Sequence, residues 1–162
     1  MAQISGDTNH LLYHGTLRRS LPSIRKTGLT PQRGAWAARF HPEAPALVYA
    51  VDDEHRSSTI LAIGGQMARA GLIQRSQNYS FDNFKNDLIE HGAVVVVRAS
   101  AFRHYPWVFE SGHPPGSEPG NWYSSEPASV ESEMVGEEML AWLRPSKEDF
   151  IYRYRDHIWE QV

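Results

Sequence analysis

The chain has 162 residues, a formal net charge of −3, 41% hydrophobic and 22% charged residues. That length and apolar content suit one folded domain with its own core and exclude wholesale disorder. The absence of cysteine excludes disulfides, thiolate zinc sites, iron–sulfur clusters and a cysteine nucleophile. No apolar run, Ala93–Val97 included, comes near the roughly 20 residues that span a bilayer. The first residues show no basic segment leading into an apolar one, so a soluble, reducing, cytoplasmic setting is expected.

Charge is uneven. Residues 1–81 hold nine Lys/Arg against five Asp/Glu, and residues 82–162 hold seven against fourteen. No acid lies between Asp7 and Glu43, where Arg18, Arg19, Arg25, Lys26, Arg33 and Arg39 stand. Such a basic first quarter suits an anionic ligand or simply a solvated face, while the acidic second half speaks against a nucleic-acid binder over its whole surface.

Residues 1–10 read as a loose polar start and 11–162 as a single domain. His10–His14 reads as a strand closed by Gly15-Thr16. Leu17, Leu21 and Ile24 then share a helical face, with Pro22 in its first turn and Gly28 as its stop. Thr30–Pro45 is a Pro/Gly-containing loop carrying Arg33, Trp36 and Arg39. Ala46–Val51 is an apolar strand ending in the acids Asp52–Glu54, which favour the start of a helix. Ile60, Ile63, Met67 and Ala70 mark that helix, and Asn78–His91 holds another. Ala93–Arg98 is the clearest strand, β-branched and apolar on both faces. Ser111–Pro119 is loop, Asn121–Ser125 a short strand, and Val130–Gly136 a polar turn capped by Ser129. Glu138–Leu143 and Phe150–Arg155 read as two further strands separated by Pro145. Helices thus fall in the first half and strands in the second, which predicts α+β with a curved, mostly antiparallel sheet and short helices.

No Gly-rich dinucleotide fingerprint, phosphate-binding P-loop or Gly-x-Ser-x-Gly elbow is present. His10 and His14 are four apart in a strand, where that spacing does not reproduce a helical zinc pair, so no metal is expected. The informative piece is Leu12-Tyr13-His14-Gly15-Thr16, followed by Ile24 and Gly28-Leu29-Thr30-Pro31. It resembles the opening motif of the ADP-ribosyltransferase fold in its His–Tyr–Glu branch, to which poly(ADP-ribose) polymerases and diphtheria-type toxins belong. RNA 2′-phosphotransferases share a similar opening. Leu47–Asp52 resembles the strand carrying that branch's tyrosine, with Ser57 eight residues on where the polymerases have a serine that bonds nicotinamide. Glu138–Trp142, Pro145 and Phe150-Ile151 resemble the strand with the catalytic glutamate. The windows keep the family's order over roughly residues 11–155, and the fold implied is a split antiparallel sheet.

The resemblance implies NAD as substrate and no metal. His14 would bond a ribose of NAD. Gly15, with Thr16 beside it, would hold the carboxamide, and Tyr49 would stack on the nicotinamide ring. Glu138 would bond the nicotinamide-ribose 2′-hydroxyl and stabilise the positive charge that builds on the sugar as nicotinamide leaves. Glu133 is the main rival for that role among five acids within residues 126–138, and Glu131-x-Glu133 matches the two-glutamate spacing of the arginine-targeting branch. Arg33 on the Thr30–Pro45 loop would hold the pyrophosphate. The activity implied is transfer of ADP-ribose to a macromolecular acceptor, with protein favoured over DNA or RNA, no membrane partner, and a toxin or effector role reached by delivery into a target cell without a signal. Two alternatives stand beside it: a non-enzymatic module that binds NAD or ADP-ribose, and an NAD-dependent RNA 2′-phosphotransferase. Trp36-Ala37-Ala38 stands where the phosphotransferase would carry a His-Leu-Ser-like strand.

Overall fold

The computed structural model describes residues 10–31, 46–104 and 121–161. Arg33, Trp36, Arg39 and the Ser111–Pro119 loop therefore lie outside the described residues. Six strands form one antiparallel sheet: β1 (Leu11–Leu17), β2 (Val48–Val51), β3 (Gly92–Arg98), β4 (Arg103–His104), β5 (Asn121–Ser124) and β6 (Ser132–Met134), in the order β4-β5-β2-β1-β3-β6. The longer helices are α1 (Leu21–Thr27), α2 (Arg56–Arg69), α3 (Phe81–His91), α4 (Gly136–Leu143) and α5 (Arg155–Gln161). The result is a small α+β domain. No helix of the described residues is long and apolar enough to cross a membrane.

Local sequence explains most of these elements. Pro22 sits in the first turn of α1, where its missing N–H costs nothing. Gly28 ends the helix at φ +79, and its N–H donates to the Ile24 carbonyl at 2.7 Å. The Asp52 side chain accepts from the Glu54 N–H ahead of α2. α3 opens on a reciprocal cap: Asn83 N–H donates to Ser80 Oγ at 3.1 Å and Ser80 N–H to Asn83 Oδ1 at 3.0 Å. β3 is buried from Gly92 to Val97 because both of its faces are covered.

Two apolar clusters lie on opposite sides of the sheet. One packs Ile60, Ile63 and Met67 of α2, Phe84 and Leu88 of α3, Met139 and Leu143 of α4, Tyr154 and Ile158 against Leu17 and Val94. The other gathers Leu12, Val48, Ala50, Val95, Val97 and Trp122 under Leu21, Leu29 and Ala128. β1 is zipped to β3 along its whole length, from Leu11↔Arg98 to Leu17↔Gly92. Against β2 it meets at Tyr13↔Val51. The sheet is therefore two three-stranded halves joined through a very short seam.

Several expectations are corrected. β1 continues through Gly15-Thr16 to Leu17, so Leu17 belongs to the strand and not to the helical face. Val130–Gly136 is not a turn: it contains β6, whose Val94↔Met134 to Val96↔Ser132 pairs extend the sheet. Glu138–Leu143 is helix α4 and not a strand. Gly136 at φ +64 starts it, and Glu137 and Glu138 occupy the first turn, where the positive end of the helix favours acids. Phe150–Arg155 is also not a strand; Phe150–Tyr154 forms a π-helical turn leading into α5. Helices consequently occur in both halves of the chain.

Candidate functional site

The seam between β1 and β2 places the first candidate. His14 Nδ1 lies 2.6 Å from the carbonyl oxygen of Tyr49, so an imidazole fills the position next to the Tyr13↔Val51 pair. A carbonyl only accepts, so Nδ1 carries the proton and donates, which leaves Nε2 of the neutral ring as an acceptor. Burial pushes the His14 pKa down, against the opposing effect of the Tyr49 hydrogen bond, and so keeps the ring neutral. A neutral acceptor of this kind suits a hydroxyl donor such as a ribose OH.

The acid that shares this face is Glu133. Val95 stands opposite His14 on one side and opposite Glu133 on the other. Residues directly opposite in an antiparallel ladder project to the same face, so the three form one row. Two strand spacings put the outer backbones about 10 Å apart. Arg25 of α1 grips Glu133 with both arms of its guanidinium, Nε at 2.7 Å and Nη2 at 2.6 Å. These hydrogen bonds hold the Glu133 carboxyl below the usual glutamate value. Glu131 pairs separately with Arg98.

Glu138 is placed elsewhere. It is exposed in the first turn of α4, outside the sheet and outside the row of His14 and Glu133. Tyr49 contributes its carbonyl to His14, while its ring leaves β2 on the side opposite Val48 and Ala50. Gly15 is committed to packing. Its carbonyl accepts from Gln66 Nε2 at 2.9 Å, and an added Cβ would lie 2.7 Å from the carbonyl oxygen of Thr59 on α2. Thr16 is buried with its hydroxyl 3.5 Å from Gln66 Oε1. Ser57 Oγ, in the first turn of α2, accepts from the Tyr154 hydroxyl at 3.3 Å. The structure thus joins His14 to the Tyr49 backbone, sets Glu133 in the same row on the far side of Val95, and leaves Gly15, Thr16 and Ser57 with partners of their own.

Arg25 and the Tyr49 carbonyl were not singled out in the sequence. Arg25 had one signal, its place in the acid-free basic quarter facing an acidic second half. His10 packs edge-on against Trp122 at 5.1 Å, and among the described residues it joins no metal-ligating group with His14. No protein-family model matches the chain, and no curated protein or solved structure matches it.

Proposed function

We propose that the chain cleaves the nicotinamide–ribose bond of NAD and passes ADP-ribose to a macromolecular acceptor, with Glu133 in place of Glu138 as the acid. The observation that carries this reading is the cross-strand row of His14 and Glu133 on one face of the sheet. The split of the sheet at β1–β2, where His14 is held by the Tyr49 carbonyl, supports the reading through the backbone of Tyr49, while the Tyr49 ring lies on the face opposite the row.

In this reading neutral His14 accepts from a ribose hydroxyl through Nε2 and orients the dinucleotide. Glu133 accepts from the 2′-hydroxyl of the nicotinamide ribose. As the C1′–N bond breaks, its electron pair leaves with nicotinamide, which becomes neutral, and positive charge develops on the sugar. A fixed carboxylate beside that charge counts more in the transition state than in the ground state. A lone pair of the acceptor then forms the new bond at C1′, and the acceptor's proton goes to solvent. A protein acceptor is favoured by the net negative charge, which gives polyanionic nucleic acid no general attraction.

Nicotinamide release from NAD tests the reading. Glu133→Gln should lower turnover by about 100-fold or more while NAD affinity changes little, on the scale of a lost transition-state electrostatic contact. Glu138→Gln should leave turnover near the wild-type value. Full turnover in the Glu133 variant, or no nicotinamide from the wild type with or without lysate protein as acceptor, would sink it. NAD binding without nicotinamide release would instead favour a non-enzymatic dinucleotide-binding module.

A further inference from the structure

A cavity of about 350 Å³ opens beside the last turn of α1, walled by Ile24–Gly28 on one side and Pro127–Val130 on the other. Its floor is fixed. Leu29 and Ala128 exchange backbone hydrogen bonds of 2.8 and 2.9 Å, and Gly28 packs so closely that a Cβ would sit 2.7 Å from the Ala128 carbonyl. Two cations line this cavity, Arg25 and Lys26, and no carboxylate does. Lys26 has no ion-pair partner among the described residues. Arg25 is the residue that already holds Glu133, and its side chain is 58% exposed.

We infer that this cavity binds the pyrophosphate of a nucleotide, and that Arg25 exchanges Glu133 for phosphate oxygens when it does. The guanidinium fork that fits a carboxylate bidentately fits two phosphate oxygens in the same way. The cavity and the ion pair share one arginine, so the two anions compete for it. Occupation of the cavity frees the Glu133 carboxylate, and the ammonium of Lys26 adds charge as a mobile point contact. The exchange couples arrival of a diphosphate to exposure of the acid. Identifying that diphosphate with the one in NAD rests on the proposed function; the exchange itself does not.

Calorimetric titration with inorganic pyrophosphate tests the exchange on the intact protein, with no need for turnover. Arg25→Ala should weaken binding by about tenfold or more, the loss expected for charge-assisted hydrogen bonds. Glu133→Gln should tighten binding about threefold or more, because Arg25 no longer leaves a charged partner. Arg25→Lys, which keeps the charge and loses the fork, should fall between wild type and Arg25→Ala. ADP-ribose should show the same order of affinities if the diphosphate belongs to a dinucleotide. Unchanged binding in a folded Arg25→Ala variant overturns the site, and weaker binding in Glu133→Gln overturns the exchange. Pyrophosphate binding in this pattern without nicotinamide release would refute the proposed activity and leave the anion site standing.

Discussion

Replacing Gly15 with alanine separates two explanations of that glycine. Its φ is not positive, so the constraint is space alone. A Cβ would stand 2.7 Å from the Thr59 carbonyl oxygen, 2.9 Å from Ile63 Cγ1 and 3.1 Å from Thr59 Cγ2. The nearest atom is helix backbone, which cannot rotate aside as a side chain could, so α2 must lift from β1. Overpacking of this kind costs about 1–3 kcal/mol. Alanine recovers roughly 0.5–1 kcal/mol of backbone entropy in a strand, which leaves a net loss of about 1.25 kcal/mol at mid-range and about 2.5 kcal/mol at most. For a domain of this size the mid-range loss lowers Tm by roughly 2–5 °C. Urea unfolding followed by tryptophan fluorescence should show a lower midpoint with an unchanged slope. A glycine kept only as a backbone contact for nicotinamide would give the reverse, wild-type stability with weakened NAD binding, and that result would refute the packing argument.

Burial holds both His14 and His157 below the ordinary histidine value of 6.5, so the unfolded chain binds protons that the folded chain refuses as pH falls through that value. Stability should therefore decline as pH falls through about 6.5, by at most about 1.4 kcal/mol per pH unit for each group, and His14→Gln should flatten the slope in urea titrations. Glu133 shows the carboxylate case: hydrogen bonds from Arg25 depress it below 4.5, so the ion pair stabilises above that value. The stability gap between wild type and Arg25→Ala should close as pH drops through the depressed Glu133 value, and a gap that persists in strong acid would assign it to packing. Tyr154→Phe removes the donor to Ser57 from an otherwise buried ring and should cost about 0.5–1.5 kcal/mol in chemical unfolding.

The strands with strong alternation or continuous β-branched runs were legible in the sequence. β2 and β5 fall within the predicted spans, β3 starts one residue before its own, α1 and α3 lie within theirs, and α2 carries the predicted face residues Ile60, Ile63 and Met67. The C-terminal third was misread for a definite reason. Met139–Leu143 is a short continuous apolar run, and such runs carry no period that separates strand from helix. The decisive signals lay beside it, in Gly136 and the paired acids Glu137-Glu138 that open a helix. In the last segment Phe150, Tyr154 and Ile158 recur at helical spacing, yet the aromatic content of 150–155 suggested a strand. β6 was hidden because Glu131, Ser132 and Glu133 look like a solvated turn, although they alternate around an edge strand. His14 was recognisable in its strand. That Glu133 would share its row depended on a β3–β6 register that no local pattern encodes.

The bond between Arg25 and Glu133 joins positions 108 residues apart in the chain. At about 5–20 residues per second of synthesis, roughly 5–20 s separate the emergence of the guanidinium from that of its carboxylate. Through that interval β1 and α1 can exist without the acid, and the row that contains His14 stays incomplete. Closure must wait for β6 to dock on β3, a long-range pairing that comes after a large entropic cost of loop closure. Newly made chains thus pass most of their assembly lacking the acid, and any premature stop before residue 133 leaves a fragment that retains the imidazole and never receives its carboxylate.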